Sequence, residues 1–158
     1  MAYTDTNTQQ PVSVLEVLHR HFAEREELQD QRMMKGHNKF SVLIVRLDNF
    51  SEIENQLGTE KAQETSLRIL ETLGGSIRSG DVVRVTDRNE IVFLARVSKG
   101  NAPSMIARLQ TKLRDCIFEF GEDLRTELSC GYATYPDDGI NSEDLLKKAY
   151  ETLLTYPQ

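Results

Sequence analysis

The run from Phe40 to Leu47 (FSVLIVRL) constrains the fold of this 158-residue chain more than any other segment. It is rich in β-branched residues, and only Ser41 and Arg46 interrupt its apolar character. A strand with one face in water alternates polar and apolar residues, whereas a strand covered on both faces is continuously apolar. The run therefore predicts a strand that is buried on both faces.

The N-terminal part of the chain has a different character. Residues 1–11 are rich in Thr, Asn and Gln, which predicts a flexible tail, and residues 12–36 have the pattern of a charged helix. The apolar stripe of this helix is narrow. We expect it either to lean on the following domain or to pair with a second copy of the chain; the stripe consists of Val14, Leu15, Leu18 and Phe22.

The rest of the chain alternates strand and helix patterns. In order, the patterns predict a strand at 40–47, helices at 49–57 and from 59, strands at 81–85 and 91–97 joined by a polar turn, a helix at 103–118, a strand at 128–135 and a last helix at 142–154. The order β-α-α-β-β-α-β-α predicts an α+β fold, a ferredoxin-like or polymerase-palm sheet that is mainly antiparallel, with helices packed on one face.

Composition excludes several classes of protein. With 19 basic and 25 acidic residues the net charge is −6, which argues against a module that binds duplex nucleic acid. No apolar run approaches the ~20 residues that span a bilayer, and the N-terminus lacks the pattern of a secretory signal. Cys116 and Cys130 lie in no disulfide or zinc pattern and read as buried thiols. We expect a cytoplasmic protein with no membrane span and no cofactor.

Four segments together resemble the GGDEF domains of bacterial diguanylate cyclases. They occur in the family's order and spacing: VLIVRLDNFSEIENQLG, SIRSGDVVRVTDRNEIVFLA, LSCGYATYPDDG and SEDLLKKAYETLL. The resemblance implies a GGDEF domain over residues 37–158 with the palm-like fold of nucleotidyl cyclases. In such folds the end of the first strand lies beside the hairpin turn, and two carboxylates at that edge hold a metal ion for nucleotide chemistry.

The resemblance also implies that the catalytic residues are gone. Arg46 stands where the family has its first metal-binding aspartate, and Glu54 and Gln63 stand where it reads guanine. The signature pentapeptide falls on Asp87, Arg88, Asn89, Glu90 and Ile91, of which only Glu90 is kept. This is a degenerate signature, so we expect no cyclase activity, no catalytic residues and no bound metal. We also expect the guanidinium of Arg46 to find a carboxylate, with Asp48, Asp87 and Glu90 as the candidates.

One family motif remains, an RxxD formed by Arg78 and Asp81. In the family this motif is the inhibitory site that binds intercalated cyclic di-GMP, and a further cation comes from the helix after the hairpin, here Arg108 or Lys112. An arginine fork suits guanine edges and phosphates, and the aspartate suits guanine N–H groups. The alternative is that Arg78 is a solvated cation at a helix end and Asp81 caps a strand.

Two functions therefore stay open. One is a catalytically inactive receptor for cyclic di-GMP that passes occupancy to a protein partner through the N-terminal helix or tail. The other is a nucleotide-independent module for dimerisation or protein docking on the same scaffold. An active cyclase with relocated ligands is a third and much weaker alternative.

Overall fold

A computed structural model describes residues 12–32, 39–76, 78, 81–86, 89–121 and 123–156. The predicted tail 1–11 and the end of the predicted N-terminal helix, 33–36, lie outside the described residues. In chain order the elements are α1 (Val14–Arg32), β1 (Phe40–Leu47), α2 (Phe50–Leu57), α3 (Thr59–Gly74), β2 (Val82–Val85), β3 (Glu90–Ala95), α4 (Ala102–Leu113), a 3₁₀ turn (Arg114–Cys116), β4 (Leu128–Tyr135), α5 (Ser142–Glu151) and β5 (Leu154–Tyr156).

The described strands form one sheet in the order β2-β3-β1-β4-β5, and every neighbouring pair is antiparallel. The predicted α+β fold is therefore confirmed. Strand β1 lies at the centre and is buried on both faces, as its composition predicts. Leu43 and Val45 point into one hydrophobic core, while Val42 and Ile44 point into another.

The helices cover both faces of the sheet, so the prediction that they pack on one face is wrong. One core joins the sheet to α2, α3 and α4, and the other joins it to α1 and α5. The physical reason lies in β1 and β3, whose side chains are apolar in both directions. A sheet with two apolar faces leaves one of them in water unless each is covered.

Helix α1 leans on the domain, which is one of the two arrangements that its narrow stripe predicts. Val14 and Leu18 are buried in the core that α1 shares with α5. The rings of His21 and Phe22 lie edge-on to Phe40, with centroids 4.6 Å and 5.4 Å away. The first half of α1 is thereby attached to the start of β1.

The last helix ends earlier than predicted, at Glu151, and the chain turns back as β5 beside β4. A Cβ on Gly131 would lie 2.2 Å from the carbonyl oxygen of Ala149, so the end of α5 approaches β4 closely because this residue is glycine. The predicted helix 103–118 also ends early, at Leu113, where a 3₁₀ turn begins.

Both cysteines are buried free thiols, as predicted. Burial raises the pKa of Cys130 to about 12, with a smaller contribution from the charge of Asp48. Burial also raises the pKa of Cys116, although a hydrogen bond with Thr72 partly opposes the shift. Among the helices that the structure describes, none is long and apolar enough to cross a membrane.

Candidate functional site

The end of β1 lies directly beside the start of β3, as the fold predicts. Arg46 on β1 is the register partner of Glu90, the first residue of β3. Asp87 and Arg88 of the predicted signature segment lie outside the described residues. Asn89 adopts the left-handed conformation, with φ of 59°, and completes the turn into β3.

Arg46 forms an ion pair with Asp48, so the expectation that it finds a carboxylate is confirmed. The Nε atom of Arg46 donates to Oδ1 of Asp48 at 2.8 Å. The other oxygen of Asp48 accepts a hydrogen bond from the hydroxyl of Ser129 at 2.5 Å. The side chain of Arg46 is 43% exposed, so it is less buried than its strand position predicts.

Glu90, the fourth residue of the predicted signature segment, points into the protein. It is buried, and Oε1 accepts a hydrogen bond from the hydroxyl of Tyr150 on α5 at 2.5 Å. Its neighbour Ile91 is buried in the core beneath α3 and α4. The described part of the signature therefore holds the hairpin against the rest of the domain.

These side chains do not fit a divalent metal ion. Mg²⁺ prefers hard oxygen anions in near-octahedral geometry. Among the described residues at this edge, both oxygens of Asp48 already accept hydrogen bonds, and Glu90 is directed toward Tyr150. The guanidinium of Arg46 and the amide of Asn89, which the resemblance places at the two metal positions, supply no anionic oxygen.

A second region, an open cleft of about 1030 Å³, brings together three of the four predicted ligand-binding residues. Arg78, Asp81 and Arg108 all line it. Lys112 does not belong to the described lining, and its Nζ donates to the hydroxyl of Ser76 at 2.7 Å. Between the two candidate cations on α4, the cleft therefore includes Arg108.

Asp81 has a structural role of its own. Its Oδ2 accepts from the backbone N–H of Arg78 at 2.9 Å, and its Oδ1 accepts from the backbone N–H of Arg96 at 3.3 Å. The backbone N–H of Asp81 donates to the carbonyl of Arg78 at 2.9 Å. The carboxylate thus ties the segment before β2 to the end of β3, as the strand-capping alternative predicts.

The cleft contains two cations that the sequence analysis does not single out, Lys39 and Arg96. Lys39 immediately precedes β1, and Arg96 immediately follows β3. Antiparallel pairing brings these ends together, since Ser41 pairs with Ala95. Strand polarity could have suggested their proximity, but the register could not be read from the sequence. The inner wall is apolar and consists of Phe93, Ala95, Val97 and Met105.

Comparison with known families gives a match over most of the chain. The model of the GGDEF domain of diguanylate cyclases matches residues 17–156. Among curated proteins, the cyclic di-GMP phosphodiesterase NbdA of Pseudomonas aeruginosa is 29% identical over 110 residues. That alignment covers 69% of this chain but 14% of NbdA, so the chain spans a small part of that relative's length.

Solved structures show the same fold. The GGDEF domain of DgcB from Caulobacter crescentus, in complex with c-di-GMP, has a TM-score of 0.66 at 14% identity, covering 94% of this chain and 88% of that one. The diguanylate cyclase SiaD of Pseudomonas aeruginosa, in complex with its activator SiaC, has a TM-score of 0.65 at 16% identity. The match covers 89% of this chain and 55% of that one.

Proposed function

Because this chain belongs to the GGDEF family, we propose that it is a catalytically inactive member that acts as a receptor for cyclic di-GMP. In this proposal Arg78 and Asp81 form the ligand site together with Arg108. We choose this ligand because the DgcB domain, which has a similar fold, was solved in complex with c-di-GMP.

The first part of the proposal, inactivity, is supported by the side chains that lie where β1 ends beside the start of β3. Phosphoryl transfer from GTP needs divalent cations that neutralise the triphosphate and activate the attacking hydroxyl. Here Asp48 is paired with Arg46, and Glu90 is buried against Tyr150. A positive guanidinium at this edge would repel a divalent cation rather than bind it.

The second part, ligand binding, is carried by one observation: Arg78, Asp81 and Arg108 line the same open cleft. Arg78 and Arg108 are both exposed, and a guanidinium fork can bind a phosphate or a guanine edge with two parallel hydrogen bonds. Asp81 accepts two backbone N–H groups, yet a carboxylate has about four acceptor positions, so it can still accept from a guanine N–H.

Calorimetric titration with cyclic di-GMP tests the proposal. We expect the wild-type chain to bind an intercalated pair of ligand molecules. We expect Arg78→Ala to lower the affinity ~10-fold or more, because a charge-assisted hydrogen bond contributes ~1.5–3 kcal/mol. Arg20→Ala, an exposed arginine on α1 outside the cleft, is the matched control and should leave the affinity unchanged.

The second candidate function is a nucleotide-independent interaction module, and the hydrogen bonds of Asp81 favour it, because they explain the aspartate without a ligand. A protein partner or a second copy of this chain would then dock on the scaffold, for example through α1. The SiaD relative was solved with a protein activator. Absence of both heat and thermal shift at ligand concentrations far above micromolar would favour this candidate. Both proposals assume a cytoplasmic protein.

A further inference from the structure

The positive side chains of the cleft follow one edge of the sheet. Arg78 precedes β2, Arg96 follows β3 and Lys39 precedes β1, and these strands are consecutive in the sheet. The pairs Val82 with Leu94 and Ser41 with Ala95 bring the three strand ends to the same edge. Neighbouring strands lie ~4.8 Å apart, so the row from β2 to β1 spans ~10 Å of backbone.

The cleft is strongly positive although the chain as a whole is acidic, with a net charge of −6. Its described lining contains four basic residues, Lys39, Arg78, Arg96 and Arg108, and one acidic residue, Asp81. Because all of them line one cleft, their potentials add at its mouth. Such a row of cations suits a ligand that has more than one phosphate.

The residue that follows Lys39 fixes the position of its backbone. The next residue, Phe40, is completely buried, and its ring is stacked on Tyr135 with centroids 5.3 Å apart. On the other side Phe40 contacts the rings of His21 and Phe22 on α1. The backbone at Lys39 is therefore anchored by the core, while its side chain is exposed beside the cleft.

From this arrangement we infer that Lys39 is a further ligand-binding residue, whose ammonium group contacts a phosphate of the bound cyclic dinucleotide at the β1 end of the cleft. The inference rests on the proposed receptor function and extends its site beyond the RxxD motif and α4. A lysine suits this position because a compact ammonium binds phosphate as a point charge and does not need the planar geometry of an arginine fork. Because the backbone at Lys39 is already ordered, ligand binding costs the entropy of the side chain alone.

The test is a calorimetric titration of the full chain with cyclic di-GMP in four forms: wild type, Lys39→Gln, Lys39→Arg and Lys61→Gln. Lys61 is an exposed lysine on α3 outside the cleft, so Lys61→Gln makes the same change of charge away from the proposed ligand site. We expect Lys39→Gln to weaken binding on the order of 5–10-fold and Lys39→Arg to keep the affinity within about twofold. Lys61→Gln should bind as the wild type does.

The outcomes separate this inference from the receptor function. If Arg78→Ala weakens binding while Lys39→Gln binds as tightly as the wild type, the inference is wrong and the receptor function stands. Equal losses in Lys39→Gln and Lys61→Gln would also overturn it, because only net charge would then matter. If the wild-type chain does not bind cyclic di-GMP, both proposals fall. Melting temperatures of the four forms check that each is folded, which is expected because both lysines are exposed.

Discussion

The guanidinium of Arg46 lies at the end of β1 with Asp48, where a catalytic GGDEF domain is expected to gather negative charge. The pair is partly exposed, with side-chain exposures of 43% and 24%, so it contributes at most about 1 kcal/mol to stability. Its larger consequence is electrostatic, since it removes the net negative charge that a divalent cation needs. Ser129 completes the arrangement by donating to the second oxygen of Asp48.

Restoring the two missing carboxylates should not restore catalysis. In the double variant Arg46→Asp with Asn89→Glu, we expect no cyclic di-GMP from GTP with Mg²⁺ or Mn²⁺. By the family resemblance, Glu54 and Gln63 remain at the positions that read guanine, and Asp87 and Arg88 still replace the glycines that let phosphate approach the backbone. Chromatography of the reaction mixture measures the product.

The wild-type chain should give the same result in that assay. Product from the wild type would contradict the proposed inactivity. Product from the double variant alone would mean that metal ligands were the only missing requirement.

At the level of elements, α1 is attached to the domain by its first half. Val17 and Leu18 are buried against the core that includes Leu145 of α5. At the surface, Nε2 of His19 lies 2.8 Å from Oε1 of Glu143, and this hydrogen bond holds the pKa of that carboxyl below its ordinary value. The contacts join the N-terminal helix to the start of α5.

Truncating the anchor of α1 should destabilise the whole domain. Leu18 is completely buried, so Leu18→Ala should reduce the free energy of unfolding by about 2–5 kcal/mol, through lost burial and a residual cavity. Leu67→Ala is the matched control, since Leu67 on α3 is 49% exposed and its loss should change stability by less than about 0.5 kcal/mol. Urea denaturation measures both. Equal stability of the two variants would mean that α1 does not dock on the domain in solution.

At the level of the whole molecule, an ion pair between Lys99 and Asp138 joins two loops that are distant in sequence. Lys99 follows β3, and Asp138 lies in the turn between β4 and α5, where it also accepts from the backbone N–H of Thr134 at 2.8 Å. Burial raises the pKa of Asp138, but the hydrogen bonds from Lys99 and Thr134 outweigh this effect and leave it below its ordinary 3.8. The hydrogen bond to Asp138 raises the pKa of Lys99 above 10.5.

These shifts predict where the pair stabilises the fold. The carboxyl with a lowered pKa contributes stability above pH 3.8 and loses it as the pH falls through its folded-state pKa. The ammonium with a raised pKa contributes below pH 10.5 and loses its part as the pH rises further. At pH 7, Asp138→Asn should therefore cost about 1–2 kcal/mol in urea denaturation, and this difference should shrink below pH 3.8.

The neighbouring substitution Asp137→Asn, at an exposed carboxyl, should show a much smaller effect at both pH values. A cost for Asp138→Asn that stays constant down to pH 3 would show that the charge of Asp138 is not the cause.

Local patterns alone predicted much of the architecture. The continuous apolar run at 40–47 predicted the central strand, the polar turn between two β-branched runs predicted the β2–β3 hairpin, and Ser142 marked the start of α5. These features depend on neighbours in the chain, so composition and periodicity determine them. The sequence also supplied three candidate carboxylates for Arg46, of which Asp48 is the partner in the structure.

Only the tertiary structure decided which face each helix covers, that residues 154–156 form β5, and which cation of α4 reaches the cleft. Strand β5, which pairs with β4, has only three residues. So short a segment shows too little periodicity to be distinguished from the end of a helix. Arg108 and Lys112 lie one turn apart on α4, and their surroundings differ because Ser76 accepts from Lys112. Lys39 and Arg96 line the cleft together because the register of β1 and β3 brings their ends side by side. Register is a property of the paired strands, so no single segment of the sequence contains it.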